Sequence, residues 1–212
     1  DGSLLRPFKL DGYEVLGVDP AKEIAKKATS EGIETIPDIF TLNLAKVIKK
    51  KYGSASIVTA FNAYAHVDNL RDMTEGIKHV LSRNGLFFFE VQYLLDVIEK
   101  MLIGTIFHEH MSHHSVKPMI RFLEDFDLEL IDIKRVPIQH GSLIGTVQHK
   151  GGSYEINTSV QEMIELENQT KLDKVETLEN FNKKLLGLKK EAKKLVNLFR
   201  DTNASVAGYG AA

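Results

Sequence analysis

Leu128-Glu129-Leu130-Ile131-Asp132-Ile133-Lys134-Arg135-Val136 and Ser142-Leu143-Ile144-Gly145-Thr146-Val147-Gln148-His149 decide the fold of this 212-residue chain. Both stretches alternate apolar and polar residues at the two-residue period of a half-buried strand. A short polar turn separates them, so they pair best as an antiparallel hairpin. Everything upstream keeps a different rhythm. Tyr13 to Val18 reads as a strand that stops at Asp19-Pro20, and a proline in the first helical position starts a helix from Ala21 to Ser30 that Gly32 ends. A short strand over Glu34 to Ile36 follows, then a helix from Leu42 to Tyr52 with Leu44, Val47 and Ile48 on one face. Ala55 to Ala60 reads as a short buried strand and Asn69 to Leu81 as an amphipathic helix. Asn84-Gly85 reads as a turn, and Leu86 to Val91 as a second buried strand. Alternation of this kind predicts an α/β protein with a mostly parallel, doubly wound sheet and helices on both faces, ending in the antiparallel hairpin.

Beyond the hairpin, Gly151-Gly152-Ser153 reads as a hinge, and Ile156 to Arg200 is helical. Val175, Leu178, Phe181, Leu185, Leu188, Ala192, Leu195 and Phe199 recur at three- and four-residue steps, with lysines crowding the opposite, solvated face. The expected organisation is a core over residues 1–150, a helical connector over 151–203 and the start of a further domain over 204–212. Both ends read as cut. Asp1-Gly2-Ser3-Leu4-Leu5 is a glycine turn leading into a helix without the strand that should feed it. Ser205-Val206-Ala207-Gly208-Tyr209-Gly210 is a strand running into a Gly-x-Gly turn without the helix that should follow. In the core so interrupted, Ser205 to Tyr209 is a candidate to fill the slot of the first strand.

The formal net charge of -2 gives no global drive toward nucleic acid or an anionic membrane. No apolar run reaches bilayer length and no signal-peptide pattern opens the chain, so the default compartment is the cytoplasm. The absence of cysteine excludes disulfides and cysteine–zinc sites in this chain.

Chemistry concentrates in Phe107-His108-Glu109-His110-Met111-Ser112-His113-His114-Ser115, which holds four of the eight histidines. Histidine and glutamate move protons near neutral pH. His108 and His110 alternate in a loop with no third ligand nearby, so acid–base work is favoured over metal binding, and no metal is expected. Asp19 follows a strand about 20 residues after the glycine turn, where an acidic residue accepts hydrogen bonds from ribose hydroxyls; the plain alternative is a helix cap. Phe61-Asn62-Ala63-Tyr64-Ala65-His66 follows the next strand, and His66 reads equally as catalytic or as the cap of the following helix. Glu90 and Gln92 end the last parallel strand.

Assembled in order, these residues resemble the sugar-nucleotide C-methyltransferases, which are S-adenosylmethionine-dependent enzymes of deoxysugar biosynthesis. The family's Gly-Ser-Asn-Asp-Gly-Thr-Leu-Leu is met from its Asp-Gly at Asp1-Gly2. Its Gly-Val-Asp-Pro matches Gly17 to Pro20, and its Asn-Val-Phe-Ala-His-Ile looks like Asn62 to Val67. Its Phe-Glu-Val-Pro-Tyr looks like Phe89 to Tyr93 with Gln92 for proline. Its Tyr-His-Glu-His-Leu-Ser-Tyr is similar to Phe107 to His113, with Phe107 and His113 replacing tyrosines. Its His-Gly-Gly-Ser-Leu-Arg becomes Gln139 to Ile144, without the arginine. The resemblance implies a class I methyltransferase fold and S-adenosylmethionine as cofactor, held by Asp1, Gly2, Asp19, Pro20 and Asn62. It implies His110 as general base with Glu109 beside it, and His66 and His108 in supporting roles. The implied partner is a small molecule, a nucleotide-linked keto sugar, methylated at the carbon next to its ketone. An N-terminal zinc-binding domain and a C-terminal Rossmann-like domain would flank the chain in that family.

Overall fold

The structure, a computed structural model, describes residues 2–202, 204, 205 and 207. Asp1 and most of the segment expected to open a further domain, residues 204–212, lie outside the described residues, as does most of the Ser205 to Tyr209 segment expected to fill the slot of the first strand. The chain divides into two compact units. One comprises the residues up to Val58 together with Asn69–Phe87. The other comprises Thr59–Asp68 and the residues from Phe88 onward.

The first unit carries α1 (Leu5–Leu10), β1 (Gly17–Val18), α2 (Lys22–Ser30), β2 (Thr35–Ile36), α3 (Leu42–Tyr52) and α4 (Leu70–Val80). β1 and β2 pair in parallel, Gly17 opposite Thr35. Gly17 is required there, because a Cβ would lie 2.7 Å from Thr35 Oγ1. α2 stops as the glycine predicts. Gly32 has φ +90, its N–H donates to Thr29 O, and the next N–H, from Ile33, donates to Ala28 O. This left-handed cap satisfies the last carbonyls of the helix. Thr41 caps α3 by accepting from Leu44 N, and Asn69 caps α4 by accepting from Asp72 N. Ala45, Ile48 and Val80 form a buried cluster with Leu16, Val18, Ile36, Phe40, Leu44 and Val58 packed on it.

Several local expectations are corrected in this unit. The first strand is two residues long, since Tyr13 and Glu14 are exposed and bury nothing that would hold them in a ladder. Val47 points outward, 60% exposed, and Ala45 takes its place on the buried face of α3. Asn84-Gly85 does not turn. α4 passes at Leu81 (ψ 133) straight into β4 (Leu81–Gln92). Gly85 marks a close backbone approach instead, with a Cβ there falling 2.9 Å from Ala55 O. β3 (Ala55–Phe61) is only partly buried, with Ile57 exposed.

The second unit holds the ends of β3 and β4, then α5 (Leu94–Glu99), α6 (Val116–Glu124), β5 (Leu128–Val136), β6 (Ser142–His149), α7 (Thr158–Gln169) and α8 (Val175–Asp201). The four-stranded ladder runs in the order β3-β4-β6-β5. β5 and β6 form the expected antiparallel hairpin over the expected residues, Leu128 opposite His149 and Val136 opposite Ser142. Gly145 lets Phe89 lie flat against β6, since a Cβ there would sit 2.9 Å from Phe89 Cε2. The core gathers Tyr64, Phe89, Tyr93, Leu95, Val116, Leu123, Phe126, Leu128, Leu143 and Val147.

Glu167 reaches from α7 to the start of α6. It is 2% exposed and accepts from Val116 N at 2.6 Å, Lys117 N at 3.1 Å and Tyr93 Oη at 3.3 Å. An acidic side chain from another helix thus satisfies amides that α6 itself leaves open. The Gly151-Gly152-Ser153 segment is a pinned turn, not a hinge. Buried Gln148 donates to Tyr154 O and accepts from Tyr154 N, so both ends of the turn are tied. α8 carries the heptad-like apolar residues predicted for it, several of them exposed.

Candidate functional site

In the first unit, Gly2 has φ +74, and its carbonyl accepts from Leu5 N and Arg6 N at the head of α1. A Cβ at Gly2 would touch the Ile33 side chain at 3.0 Å, so a glycine suits this turn on both counts. Asp19 N donates to Ile36 O, extending the β1–β2 ladder by one bond. Asp19 Oδ1 accepts from Ala21 N at 2.8 Å, a local turn that fixes the carboxylate at the strand end. Its other oxygen has no hydrogen bond among the described residues. Pro20 precedes the helix cap Ala21 and so lies two positions ahead of the first helical residue, Lys22.

The second unit gathers the histidines. Asn62 ends β3 in a left-handed conformation, φ +52, and its N–H donates to Glu90 O at 3.3 Å. Asparagine tolerates that conformation better than most residues. The turn so made presents His66. Its Nδ1 lies 2.9 Å from Glu109 O. A carbonyl only accepts, so Nδ1 carries the hydrogen, and in the neutral ring Nε2 keeps the lone pair. The His66 and His110 rings lie 4.5 Å apart between centroids, Phe107 packs on His110 at 4.5 Å, and His113 meets its edge at 5.9 Å.

The run therefore splits into distinct environments. His110 and His113 turn inward. His108 is 84% exposed and Glu109 68% exposed at their side chains, and they face each other at 3.9 Å in solvent. Glu109 contributes its backbone carbonyl to His66, and its carboxylate stands apart from the ring cluster. Burial, then the neighbouring His66 and His113, push the His110 pKa below its ordinary value, against an opposing hydrogen bond to the Thr105 backbone and the charge of Glu109. Burial likewise lowers His113. Both rings are held neutral and able to accept a proton near pH 7.

His114 is a core residue. It stacks on Tyr64, bonds Ser112 Oγ at 2.9 Å and forms an isolated parallel bridge with Tyr93, the residue after β4. Burial, then His113, drive its pKa down to about 4. With an unfolded value near 6.5, the unfolded chain takes a proton as pH falls from 6.5 to 4 while the folded chain does not. The stability present above pH 6.5 is therefore expected to fall by about 3 kcal/mol across that window. Urea unfolding at pH 7 and pH 5 should show the loss in the natural protein and a flatter response in His114→Phe.

Two groups that the sequence places at the end of the last parallel strand also belong to this region, and it is their burial that the sequence did not reveal. Glu90 and Gln92, at the end of β4, are 4% and 6% exposed. Among the described residues, the buried side-chain atoms without a hydrogen-bond partner are Glu90 Oε1, Gln92 Nε2 and Oε1, His110 Nδ1 and His113 Nδ1. Each such atom costs about 1–3 kcal/mol where nothing bonds it, and such groups mark functional positions. Behind them stands a buried ionic lock. Asp96 is fully buried at its side chain and takes both Arg135 Nε and Nη2 at 2.9 Å and Lys100 Nζ at 2.5 Å. Burial alone would raise its pKa, but the hydrogen bonds from Arg135 and Lys100 hold it below the usual carboxylate range. Among the described residues, no group of three or more histidine, aspartate or glutamate side chains is placed to hold a metal ion.

Residues 1–89 match the family described as a methyltransferase domain, and residues 137–212 match the C-methyltransferase C-terminal domain. Both matched segments are thus similar to methyltransferase families. The chain is similar to the C-methyltransferase NovU of Streptomyces niveus, 30% identical over 210 residues, which is 99% of this chain and 50% of that relative. The chain thus spans about half the length of the curated relative it matches. Its fold is similar to that of the magnesium protoporphyrin IX methyltransferase of Synechocystis PCC 6803 (TM-score 0.53, 16% identity, 69% of this chain and 68% of that one). It is likewise similar to a SAM-dependent methyltransferase of Anabaena variabilis (TM-score 0.51, 15% identity, 70% and 74%). The chain therefore has the class I methyltransferase, Rossmann-like fold, with the antiparallel hairpin as part of it. Among the described residues, no helix is long and apolar enough to cross a membrane.

Proposed function

We propose that this chain carries the cofactor- and base-bearing part of an S-adenosylmethionine-dependent C-methyltransferase. The acceptor in this reading is a nucleotide-linked 4-keto deoxysugar, methylated at the carbon next to the ketone. The observation that carries the reading is the neutral, inward-facing His110, held between His66, Phe107 and His113 with its Nδ1 lone pair unpartnered.

A ketone acidifies the hydrogen on the neighbouring carbon. His110 Nδ1 takes that proton, and the electron pair of the broken C–H bond moves toward the carbonyl oxygen as an enolate. His66, already tied to Glu109 O, stands 4.5 Å away between ring centroids. A protonated His110 is poorly tolerated beside His66 and His113, so the proton is readily passed on. Donors fixed in advance around the developing negative oxygen lower the barrier. S-adenosylmethionine, when bound, supplies the electrophilic methyl group; the protein orients and deprotonates. Gly2, Asp19, Pro20 and Asn62 are the residues for its cofactor side, together with Asp1. Asp19 fits a ribose, because one carboxylate oxygen is held by Ala21 N and the other remains for a hydroxyl. His108 and the Glu109 carboxylate, both in solvent, tune the loop's charge from outside.

Titration of S-adenosylhomocysteine by calorimetry into the protein and its Asp19→Ala variant tests the cofactor half. Micromolar binding weakened about tenfold, or about 1.4 kcal/mol, is expected. A folded protein that binds no S-adenosylhomocysteine would overturn the proposal.

A further inference from the structure

We infer that the carboxyl end of β4 is a hydroxyl-recognising subsite for the methyl acceptor, with Glu90 and Gln92 as its specificity-determining residues; the inference rests on the C-methyltransferase reading of the same site. β4 alternates. Phe87, Phe89, Val91 and Tyr93 are buried apolar and aromatic residues of one face, while Glu90 and Gln92 project from the other. A buried carboxylate and a buried amide on a strand are normally consumed by neighbours. Here Glu90 Oε1 and both polar atoms of Gln92 are not.

The other such atoms belong to His110 and His113, and short links join the two sets. Asn62 N donates to Glu90 O at one end of the Asn62–His66 turn, and His66 contacts His110 and Glu109 at the other. On the far side, Leu94 N donates to His114 O, directly after His113. Buried unpartnered polar atoms on two adjoining segments describe a single polar ligand.

The atom types define its chemistry. Glu90 can only accept when ionised, and it repels phosphate; Gln92 both donates and accepts. A hydroxyl matches each of them. Positions 90 and 92 lie about 6.6–6.8 Å apart along a strand, so they reach two different hydroxyls, or a hydroxyl and a carbonyl, of one ring. The subsite therefore selects a polyhydroxylated acceptor by its ring and not by its nucleotide.

The test uses Glu90→Gln, which preserves shape, and Gln92→Leu. Binding and turnover of a nucleotide-linked 4-keto deoxysugar are measured beside S-adenosylhomocysteine binding and thermal unfolding. Each variant is expected to raise KM and acceptor Kd about tenfold, with kcat changed less and S-adenosylhomocysteine affinity within about twofold. An acceptor lacking one ring hydroxyl should lose affinity for the natural protein but lose little more for the matching variant. Unchanged acceptor Kd in both variants, or weakened S-adenosylhomocysteine binding instead, overturns the subsite. Acceptor binding without turnover by the natural protein would sink the C-methylation reading alone, and the variants' Kd values would still decide the subsite. No acceptor binding by the natural protein overturns both.

Discussion

Replacing His110 with alanine is expected to slow methyl transfer by about 10²–10⁴-fold while leaving S-adenosylhomocysteine affinity within about twofold. The split follows from the ring's position. His110 touches Phe107, His66 and His113 and presents an unpartnered Nδ1, so removing it takes away the proton acceptor and little else. The pH profile carries a second signature. A base must be neutral to work, and burial with two histidine neighbours holds the His110 pKa below its ordinary value. The acid limb of kcat/KM should therefore fall below pH 6.5. Glu109→Gln should alter the rate far less, because its exposed carboxylate contributes only a distant charge and its carbonyl, which holds His66, survives the change. Single-turnover rates for the two variants would check this; a larger loss in Glu109→Gln than in His110→Ala would reverse the roles.

Gly141→Ala is expected to destabilise the fold by about 3–5 kcal/mol. The glycine has φ +151 and follows Gln139 and His140, which are themselves left-handed at φ +48 and +70. An alanine Cβ would lie 2.5 Å from Asp96 Oδ2 and closer still to other atoms of that side chain. Relief requires Asp96 to move, and Asp96 is the fully buried centre of the lock with Arg135 and Lys100. Overpacking costs about 1–3 kcal/mol, strain at a glycine-only conformation about 1–3 kcal/mol, and a disturbed buried ion pair adds to both. Lys100 also holds this turn through His140 O at 2.6 Å, and Gly141 O accepts from Tyr93 N at 3.2 Å, so the damage reaches the end of β4. Urea unfolding measures the loss; a change under about 1 kcal/mol would contradict the packing described.

The bounds of the hairpin were legible to the residue because a two-residue period marks both strands, although a register shift between Leu130 and Asp132 interrupts the alternation in β5. The stop of α2 at Gly32 was legible for an equally local reason, whereas the caps at Thr41 and Asn69 emerge only from the structure. What failed locally was decided by neighbours distant in sequence. Ala45 and Val47 flank the Leu44 and Ile48 stripe on opposite sides, so packing, not periodicity, chooses which of them is buried. Asn84-Gly85 carries a strong turn signal, yet Gly85 is used to let Ala55 approach. The Gly151-Gly152 pair looks free until Gln148 is seen to tie it. In the candidate site, composition singled out one loop but could not sort its members. His108, His110, His113 and His114 read alike along the chain, whereas burial divides them into a solvent residue, two inward rings and a core stack. Glu90 and Gln92 stood at the end of the last parallel strand, and nothing in their spacing announced that polar atoms of both would be buried without partners.

Solvent exchange at the acceptor carbon is the most direct test. The protein is held in deuterium oxide with S-adenosylhomocysteine and a nucleotide-linked 4-keto deoxysugar, and deuterium incorporation is followed by mass spectrometry for the natural protein and for His110→Ala. One deuterium entering next to the ketone, at least about 100-fold more slowly in the variant, is the expected result. Equal exchange in both proteins, or no exchange while a methyl group is transferred to oxygen, would contradict the assignment of His110 as the base of a carbon methylation.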